Sequence, residues 1–215
     1  MKKLLEGVFI SVEGCDGAGK STMLKVLWQR LLHYGYEVVL TREPGGSPLG
    51  EKIRDLILHN PMDPVVELLL FNASRKDHIV NTIRPNKAMG KIVISDRFSD
   101  SSHAYQGHGR KMVAEAVALE GLVVQQDRPD YTLYFDITIE ESIKRLAARQ
   151  GLTGQVLDRL DSETLEFKKR VLAGFSERRE RYTVFDAMPD QSEVAQKVIE
   201  WVDTVFVPKH PLIKE

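Results

Sequence analysis

The sequence predicts an α/β fold in which helices cover both faces of a doubly wound, five-stranded parallel sheet. Short apolar runs typical of buried strands alternate with longer stretches of helical periodicity along the whole chain. This alternation favours parallel strands joined by right-handed helical crossovers, which bring the carboxyl ends of the strands to one edge of the sheet. A glycine-rich loop between the first strand and the first helix is the second observation that favours this fold.

The glycine-rich loop at residues 14–21 fits the pattern G-x-x-x-x-G-K-[ST] of phosphate-binding loops. An apolar run at 8–12 precedes it as a predicted strand, and apolar side chains follow it at helical spacing. Glycine lets successive N–H groups point into one concavity at the positive end of a helix. We therefore expect a nucleotide phosphate site here, with a chance glycine-rich turn as the alternative. The expected phosphate-binding residues are Gly14, Cys15, Asp16, Gly17, Ala18, Gly19, Lys20, Ser21 and Thr22.

The other elements are predicted by the same periodicities. Further strands are expected at residues 37–40, 91–95, 131–136 and 184–186. Helices are expected from about residue 51, over 63–90, after 110, from 138, from about 161 and over 192–205. Aspartate before proline opens the helix at 63–64, and Thr138 with Glu141 forms a capping box. Two prolines and three glycines predict an irregular loop at 41–50.

The composition indicates a single domain without a membrane or nucleic-acid partner. The 215 residues suffice for one domain with a sizeable core, which we place at 1–206, followed by a loose C-terminal tail at 207–215. A net charge of −1 disfavours a surface that coats nucleic acid, and the single cysteine excludes an intrachain disulfide framework. Because Glu6 and Glu13 interrupt the apolar start, we expect no targeting segment and a cytoplasmic location.

Charged side chains follow the predicted third strand, at the sheet edge where the phosphate-binding loop also lies. Lys20 would reach the β- and γ-phosphates of a nucleotide, and the Ser21 hydroxyl would hold Mg²⁺. Asp96 stands where an acid would hold the same metal directly or through water; the alternative is a residue that caps a turn. Arg97 would bind an acceptor phosphate by a bidentate contact, unless it forms an ordinary surface salt bridge.

A group of arginines predicts a short lid over the phosphates. Arg145, Arg149 and Arg159 flank the glycine-broken segment 151–155, so we place the lid at about 149–159. Closure of such a lid would exclude water and bring arginines to the phosphates. The alternative, for at least one of the three arginines, is a solvated helix face.

Five further residues are weaker candidates for a functional role. Phe71 fits a core residue at least as well as a stacking platform for a base. Ser102, His103 and His108 are individually weak signals, and no cysteine–histidine spacing indicates zinc. Cys15 lies just ahead of a helix and near a lysine, which favours a reactive thiolate, but a small side chain packed under the loop is the alternative.

Seven stretches, taken in order, resemble the thymidylate kinase family, which transfers the γ-phosphate of ATP to dTMP. They are residues 14–22, 41–50, 67–71 with Arg75, 96–98, 104–107, 129–136 and 157–159. The Arg-Glu-Pro-Gly-Gly and Ala-Tyr-Gln-Gly sequences are far more specific than the phosphate-binding loop. The resemblance covers nearly the whole chain and implies a P-loop NTPase-type fold, ATP and Mg²⁺ as cofactors, dTMP as substrate, and a homodimer.

The resemblance also implies roles for individual residues. Asp16 would contact the deoxyribose 3′-hydroxyl or an arginine near it. Phe71 would stack on thymine, and Arg75 would donate a hydrogen bond to its O4. Arg54 and Arg97 would hold the acceptor phosphate. The remaining expected substrate residues are Glu43, Pro44, Ser101, Ser102, Tyr105 and Gln106, and the expected catalytic residues are Lys20, Asp96, Arg97, Arg149 and Arg159.

The family has two forms, one with an arginine in the phosphate-binding loop and one with arginines in the lid. Gly17 and Ala18 stand in the loop here, so the chain is similar to the bacterial, lid-arginine form. The segment 149–159 is longer and less basic than is usual for that form. The sequence therefore leaves open whether Arg149 or Arg159 serves the transition state.

Two other functions compete with this interpretation. Another nucleoside monophosphate kinase or a deoxynucleoside kinase would share the phosphate-binding loop. Arg54 together with Arg97 favours an acceptor that already carries a phosphate over a nucleoside. A GTP-dependent switch would need the sequence Asn-Lys-x-Asp, and residues 86–89 lack its final acid.

Overall fold

The computed structural model describes residues 2–153, 159–160 and 163–214. The strands of its main sheet are β1 (Val8–Glu13), β2 (Val38–Arg42), β3 (Ile92–Asp96), β4 (Tyr131–Asp136) and β5 (Thr183–Asp186). Within these residues the five strands are all parallel and lie in the order β2-β3-β1-β4-β5. The predicted five-stranded parallel sheet is confirmed.

Helices connect the strands, and three helical runs in the described part of the chain contain π-helical turns. The α-helices are α1 (Lys20–His33), α2 (Pro48–His59), α3 (Pro64–His78), α4 (Arg84–Ala88), α5 (Ser99–Ser102), α6 (Val113–Val123), α7 (Ile139–Thr153), α8 (Leu165–Glu177), α9 (Gln191–Trp201) and α10 (Val207–Lys209). The π-helical turns lie at Ile79–Ile83, His103–Gly109 and Val202–Phe206, and a 3₁₀ turn lies at Arg179–Arg181. None of the helices in the described residues combines the length and apolar character needed to cross a membrane.

Side-chain caps determine where several helices begin. Asp63 and Thr138 accept hydrogen bonds from backbone N–H groups at the starts of α3 and α7, as predicted. α2 begins at Pro48, earlier than predicted, because Ser47 caps it and proline suits the first helical turn. α8 begins later than the predicted residue 161, because its capping side chain is that of Thr164.

Apolar residues bury both faces of the sheet, since successive side chains of a strand point to opposite sides. Ile10 of β1 belongs to the larger cluster, which includes Leu27 of α1 and Val198 of α9. Phe9 points to the other face, where its ring lies 4.9 Å from that of Phe98 in a second cluster. The helices therefore cover the sheet on both sides, as the doubly wound prediction requires.

The strand order reverses at β1, because β2 and β3 lie on one side of it and β4 and β5 on the other. Ligands of open α/β sheets bind in the crevice outside the carboxyl ends of the strands at such a point. The register pairs Val12 with Asp96, and Asp96 with Arg42. The end of β3 therefore lies next to the loop that follows β1.

The C-terminal segment packs against the domain, so the prediction of a loose tail is wrong. Ile213–Lys214 pairs in antiparallel fashion with Lys2–Lys3. The carbonyl of His210 accepts a 2.7 Å hydrogen bond from the Tyr36 hydroxyl, and the His210 ring lies 4.6 Å from that of Phe206. The contact with the Phe206 ring and the pairing with Lys2–Lys3 hold these residues in place. A short, proline-containing C-terminal sequence predicts neither of these contacts. The domain boundary at residue 206 stays a prediction.

Candidate active site

The loop between β1 and α1 has the backbone geometry of a phosphate cradle. Gly14, Gly17 and Gly19 have φ values of 142°, 82° and 82°, a region that favours glycine. A Cβ atom at Gly14 would lie 2.7 Å from the Phe135 carbonyl oxygen, and one at Gly17 would lie 2.8 Å from that of Ser142. Both glycines are therefore required by the close approach of β4 and α7 to the loop.

Lys20 lies along this loop at the N-terminus of α1. Its Nζ donates hydrogen bonds of 2.9 Å to the Gly14 carbonyl and 2.8 Å to the Cys15 carbonyl. The ammonium also lies 3.9 Å from the Asp16 carboxylate. Burial lowers the pKa of Lys20, because it disfavours the charged form. The Lys20 ammonium therefore contacts backbone oxygens at the N-terminus of α1, where a helix stabilises a bound anion.

A cavity of about 630 Å³ opens above the loop. Lys20 and the exposed Ser21 and Thr22 line one side, and Asp96 with Arg97 lines another. The opposite wall consists of Arg145 and Ala148 of α7 and of three residues before and at the start of α9, which are Pro189, Asp190 and Gln191. Sequence reasoning missed this last group, because nothing in its local pattern relates it to the loop.

Ser21 and Asp96 could hold a divalent cation at the edge of this cavity. Oδ1 of Asp96 is buried and has no hydrogen-bond partner among the described residues. The Ser21 hydroxyl lines the same cavity. Carboxylate and hydroxyl oxygens are the hard ligands that small divalent cations prefer, so these two residues fit such an ion.

Arg97 connects the phosphate-binding loop to the helical segment after β3. Its Nη1 donates hydrogen bonds of 3.1 Å to the Gly14 carbonyl and 3.0 Å to Oγ of Ser101. Its Nη2 donates to the Asp16 carboxylate, which also accepts a 2.8 Å bond from the Tyr105 hydroxyl. Burial alone would raise the pKa of Asp16, but Arg97 and Lys20 hold it well below its usual range. The carboxylate is therefore ionised and fixed in position at neutral pH.

A second group of predicted residues meets around Arg75. This side chain is 2% exposed, and its Nε donates a 2.7 Å hydrogen bond to Oε2 of Glu43. Its Nη2 donates to the Phe98 carbonyl at 3.1 Å and to the Ser102 hydroxyl at 2.9 Å. Arg54 lies at the neighbouring turn, where its Nη1 donates to the Pro44 carbonyl at 2.9 Å. The segment after β2, α3 and the segment after β3 therefore converge on one buried arginine.

A third group forms around Glu67, an acid whose role sequence reasoning missed. Gln106 donates a 2.8 Å hydrogen bond to Oε1 of Glu67, and Arg110 and Arg159 both form ion pairs with this carboxylate. Burial alone would raise the pKa of Glu67, but these donors lower it. Phe71, one turn further along α3, packs with Ile53 and Ile57 of α2 in a small cluster apart from the main core. 

The structure describes the side chains of two of the three predicted lid arginines, Arg145 and Arg159. Arg159 donates hydrogen bonds to the Glu67 carboxylate and to the Ile57 carbonyl. Residues 154–158 of the predicted lid and the side chain of Arg149 lie outside the described part of the chain. Arg145, the third arginine of that prediction, lines the cavity above the loop and donates to Glu141 and to the Met188 carbonyl.

The parallel sheet, the glycine loop after its central strand and the acid at the end of the neighbouring strand define a P-loop nucleotide-binding protein. A family model described as thymidylate kinase matches residues 12–198. The chain belongs to the thymidylate kinase family.

Individual relatives agree with the family match over almost their whole length. A thymidylate kinase of Shouchella clausii (strain KSM-K16) is 41% identical over 215 residues, which cover 96% of this chain and 98% of that protein. One of Methylobacillus flagellatus is 42% identical over 91% of this chain and 97% of its own. One of Pseudomonas fluorescens (strain Pf0-1) is 44% identical over 90% of this chain and 94% of its own. The resemblance to the family is confirmed.

Proposed function

We propose that the chain transfers the γ-phosphate of ATP to dTMP, producing dTDP for dTTP synthesis. Membership of the thymidylate kinase family supports this activity. The observation that carries it is the position of Arg97, which contacts the phosphate-binding loop through Gly14 and the Asp16–Tyr105 pair through Nη2. One guanidinium therefore lies between the site for the donor phosphates and the groups expected to hold the acceptor.

On the donor side, phosphoryl transfer depends on positioning and charge neutralisation. Lys20 would exchange its bonds to two loop carbonyls for bonds to the β- and γ-phosphates. Ser21 and Asp96 would hold Mg²⁺, which supplies positive charge to the phosphate oxygens when bound. The glycine loop would orient the triphosphate through its N–H groups, and the walls formed by α7 and the start of α9 would hold the rest of the nucleotide.

On the acceptor side, Arg97 and Arg54 would bind the phosphate of dTMP by charge-assisted hydrogen bonds. Asp16 and Tyr105 would fix the sugar hydroxyl, since their bond is already formed. Phe71 would stack on the base. The remaining residues proposed to line the nucleotide are Glu43, Pro44, Arg75, Ser101, Ser102 and Gln106.

Either Arg149 or Arg159 is proposed to serve the transition state, as in the lid-arginine form of the family. The ion pair of Arg159 with Glu67 favours a role on the acceptor side, because Glu67 also binds Gln106. We further propose a homodimer, which the family resemblance implies. The interrupted apolar start and the net charge of −1 support a cytoplasmic location and no nucleic-acid partner.

The deciding experiment measures ADP release from ATP–Mg²⁺ with each nucleoside monophosphate and with thymidine. We expect the highest kcat/KM with dTMP and negligible turnover with thymidine, since thymidine offers Arg97 no phosphate. Preference for another monophosphate, or equal turnover of thymidine, would replace the proposal by one of the other kinase activities. Nucleotide hydrolysis that no acceptor stimulates would instead support a switch protein.

A further inference from the structure

Two histidines and a glutamate form a cluster outside the residues that line the cavity above the phosphate-binding loop. Nε2 of His103 lies 3.3 Å from Oε1 of Glu177, and Nε2 of His108 lies 2.8 Å from Oε2 of the same carboxylate. The two imidazole rings are 5.0 Å apart between centroids. One potential ligand atom from each residue lies within 4.8 Å of the others.

The π-helical turn at His103–Gly109 brings the two imidazoles together. The histidines are five residues apart, which is the hydrogen-bonding period of a π-helix. In an α-helix of 3.6 residues per turn, side chains five apart would point about 140° away from each other. The local backbone therefore places on one face two side chains that an α-helix would separate.

Helix α8 supplies the third group and approaches the π-helical turn unusually closely. A Cβ atom at Gly174 would lie 2.8 Å from Cα of Ala104 and 2.9 Å from Cδ2 of His108. Glycine at this position is thus needed for α8 to pack against the His108 ring. Glu177, at the last residue of α8, lies one helical turn further on and reaches both imidazoles.

Three imidazole nitrogens of the cluster lack hydrogen bonds to the described residues, although the Glu177 carboxylate lies close to two of them. His103 is 2% exposed, and neither of its ring nitrogens has a hydrogen-bond partner among the described residues. Nε2 of His108 is also without one, although the Glu177 carboxylate is close. A buried imidazole without partners is costly. A cation bound by Nε2 of each histidine and by the carboxylate would give these three ligand atoms a common partner.

The nearest arginine leaves the Glu177 carboxylate available to a cation. Arg178 does not compete for Glu177, because its guanidinium is paired with Asp100 and Glu120. Glu177 is 54% exposed, which leaves a path from solvent to the cluster.

We propose that His103, His108 and Glu177 form a binding site for a divalent transition-metal ion with the ligand preferences of Zn²⁺. Two imidazoles and one carboxylate are a common three-residue ligand set for zinc, in which water takes the fourth position. Imidazole nitrogens disfavour Mg²⁺, so the site would differ in metal choice from Ser21 and Asp96. The ion would tie the turn that carries Tyr105 and Gln106 to the end of α8.

The test is a titration of the nucleotide-free protein with Zn²⁺ in the presence of excess Mg²⁺, which occupies hard oxygen sites. Calorimetry should give one Zn²⁺ per chain. Substituting Co²⁺ should give visible absorption of the intensity typical of fewer than six ligands, a readout that is independent of activity. Absence of saturable binding at micromolar Zn²⁺ would overturn the proposal.

Single substitutions then locate the ion. Glu177→Gln and His108→Gln should each weaken Zn²⁺ binding by about 100-fold, because each substitution removes a direct ligand. This value is the upper end of the range known for residues that only hydrogen-bond to a metal ligand. His59→Gln is the matched control, since His59 lies 3.0 Å from Asp55 on an exposed helix surface, and no third ligand joins them among the described residues. Thermal unfolding in the presence of a chelator checks that each metal-free variant is folded. Because Glu177 is exposed, Glu177→Gln should fold normally. Unchanged affinity in both variants would place the ion elsewhere and refute the site.

Discussion

Arg75 and Glu43 form a buried ion pair in which Nε donates a 2.7 Å hydrogen bond to Oε2 and each side chain is 2% exposed. The pair connects α3 to the segment that follows β2. The other carboxylate oxygen of Glu43 lies 3.0 Å from Nδ1 of His78, so both oxygens have partners. The Arg-Glu-Pro sequence is thereby fixed against α3, next to the proposed acceptor site.

Removal of Glu43 should destabilise the fold strongly, because it leaves the guanidinium of Arg75 buried and unpaired. For Glu43→Ala we expect a loss of about 3–5 kcal/mol in the free energy of unfolding. Urea denaturation measures it. The exposed pair of Glu166 with Lys169 is the control, and Glu166→Ala should leave the free energy of unfolding almost unchanged. Equal losses in the two variants would contradict a special role for the buried pair.

Lys20→Ala should abolish most phosphoryl transfer while the fold survives. Loss of one electrostatic donor typically costs about 2.7–4 kcal/mol of transition-state stabilisation, or roughly 10²–10³ in kcat. Stability should not fall, because burial already disfavours the charged ammonium. Steady-state kinetics and thermal unfolding separate the two effects. Lys25→Ala, on the exposed side of the same helix, is the control, and normal turnover in Lys20→Ala would refute the assignment.

Arg75 and Phe71 should set base choice. Cytosine carries an amino group where thymine has O4, and a guanidinium donor left without an acceptor disfavours dCMP. Arg75→Lys keeps a positive charge near Glu43 but loses the planar fork, so the ratio of kcat/KM for dTMP and dCMP should fall. Phe71→Leu should raise KM for dTMP, since base stacking contributes about 1–3 kcal/mol.

The control for base choice is Arg84→Lys, because Arg84 forms a comparable two-bond pair with Asp127 away from the proposed nucleotide site. It should leave the ratio unchanged. If Arg75→Lys also leaves the ratio unchanged and folds normally, the base is distinguished by other groups and Arg75 serves only the buried pair.

Glu13, the last residue of β1, should make stability depend on pH. It accepts hydrogen bonds of 2.7 Å from the Phe98 N–H and 2.6 Å from the Ser101 hydroxyl. Burial and the nearby Asp100 nevertheless raise its pKa from 4.5 to about 8. Between these values the folded protein holds a proton that the unfolded chain has lost, so this contribution to stability falls as pH rises from 4.5 to about 8.

Glu13→Gln should remove this dependence, because glutamine mimics the protonated acid. Relative to the wild type, the variant should gain a few kcal/mol, on the order of the linkage free energy, between pH 5 and pH 8. Urea denaturation at both pH values measures the difference, with the exposed Glu115→Gln as control. A stability difference that stays constant across this range would show that Glu13 is ionised throughout.

Cys15 should react slowly with thiol reagents in the folded protein. Burial raises the pKa of this thiol from 9.0 to about 11, and its side chain packs in the main core cluster. At pH 8 only about one thiolate in a thousand would be present. Of the two interpretations of this residue, the structure therefore favours packing. Alkylation should be far slower than that of free cysteine and should accelerate on unfolding; fast modification blocked by ATP–Mg²⁺ would support the reactive thiolate instead.

The sequence by itself determined the regular elements and the phosphate-binding loop. Alternating periodicities indicate strands and helices because they reflect which faces are buried, and caps such as Asp63 act within a few residues. The glycines of the loop are also predictable from the sequence, because a positive φ value is a local requirement of the backbone that favours glycine. Parallel strands then bring Asp96 and Arg97 to the loop without further information.

Only the tertiary structure decided which charged partners meet across long stretches of sequence. Glu67 pairs with Arg159, 92 residues away, although the chain has 30 lysines and arginines that could have served. The joining of His103 and His108 with Glu177 depends likewise on a π-helical turn and on close helix packing. A charge or an imidazole has no periodic signature, because its energy depends on the groups that folding places around it and on the water that folding removes.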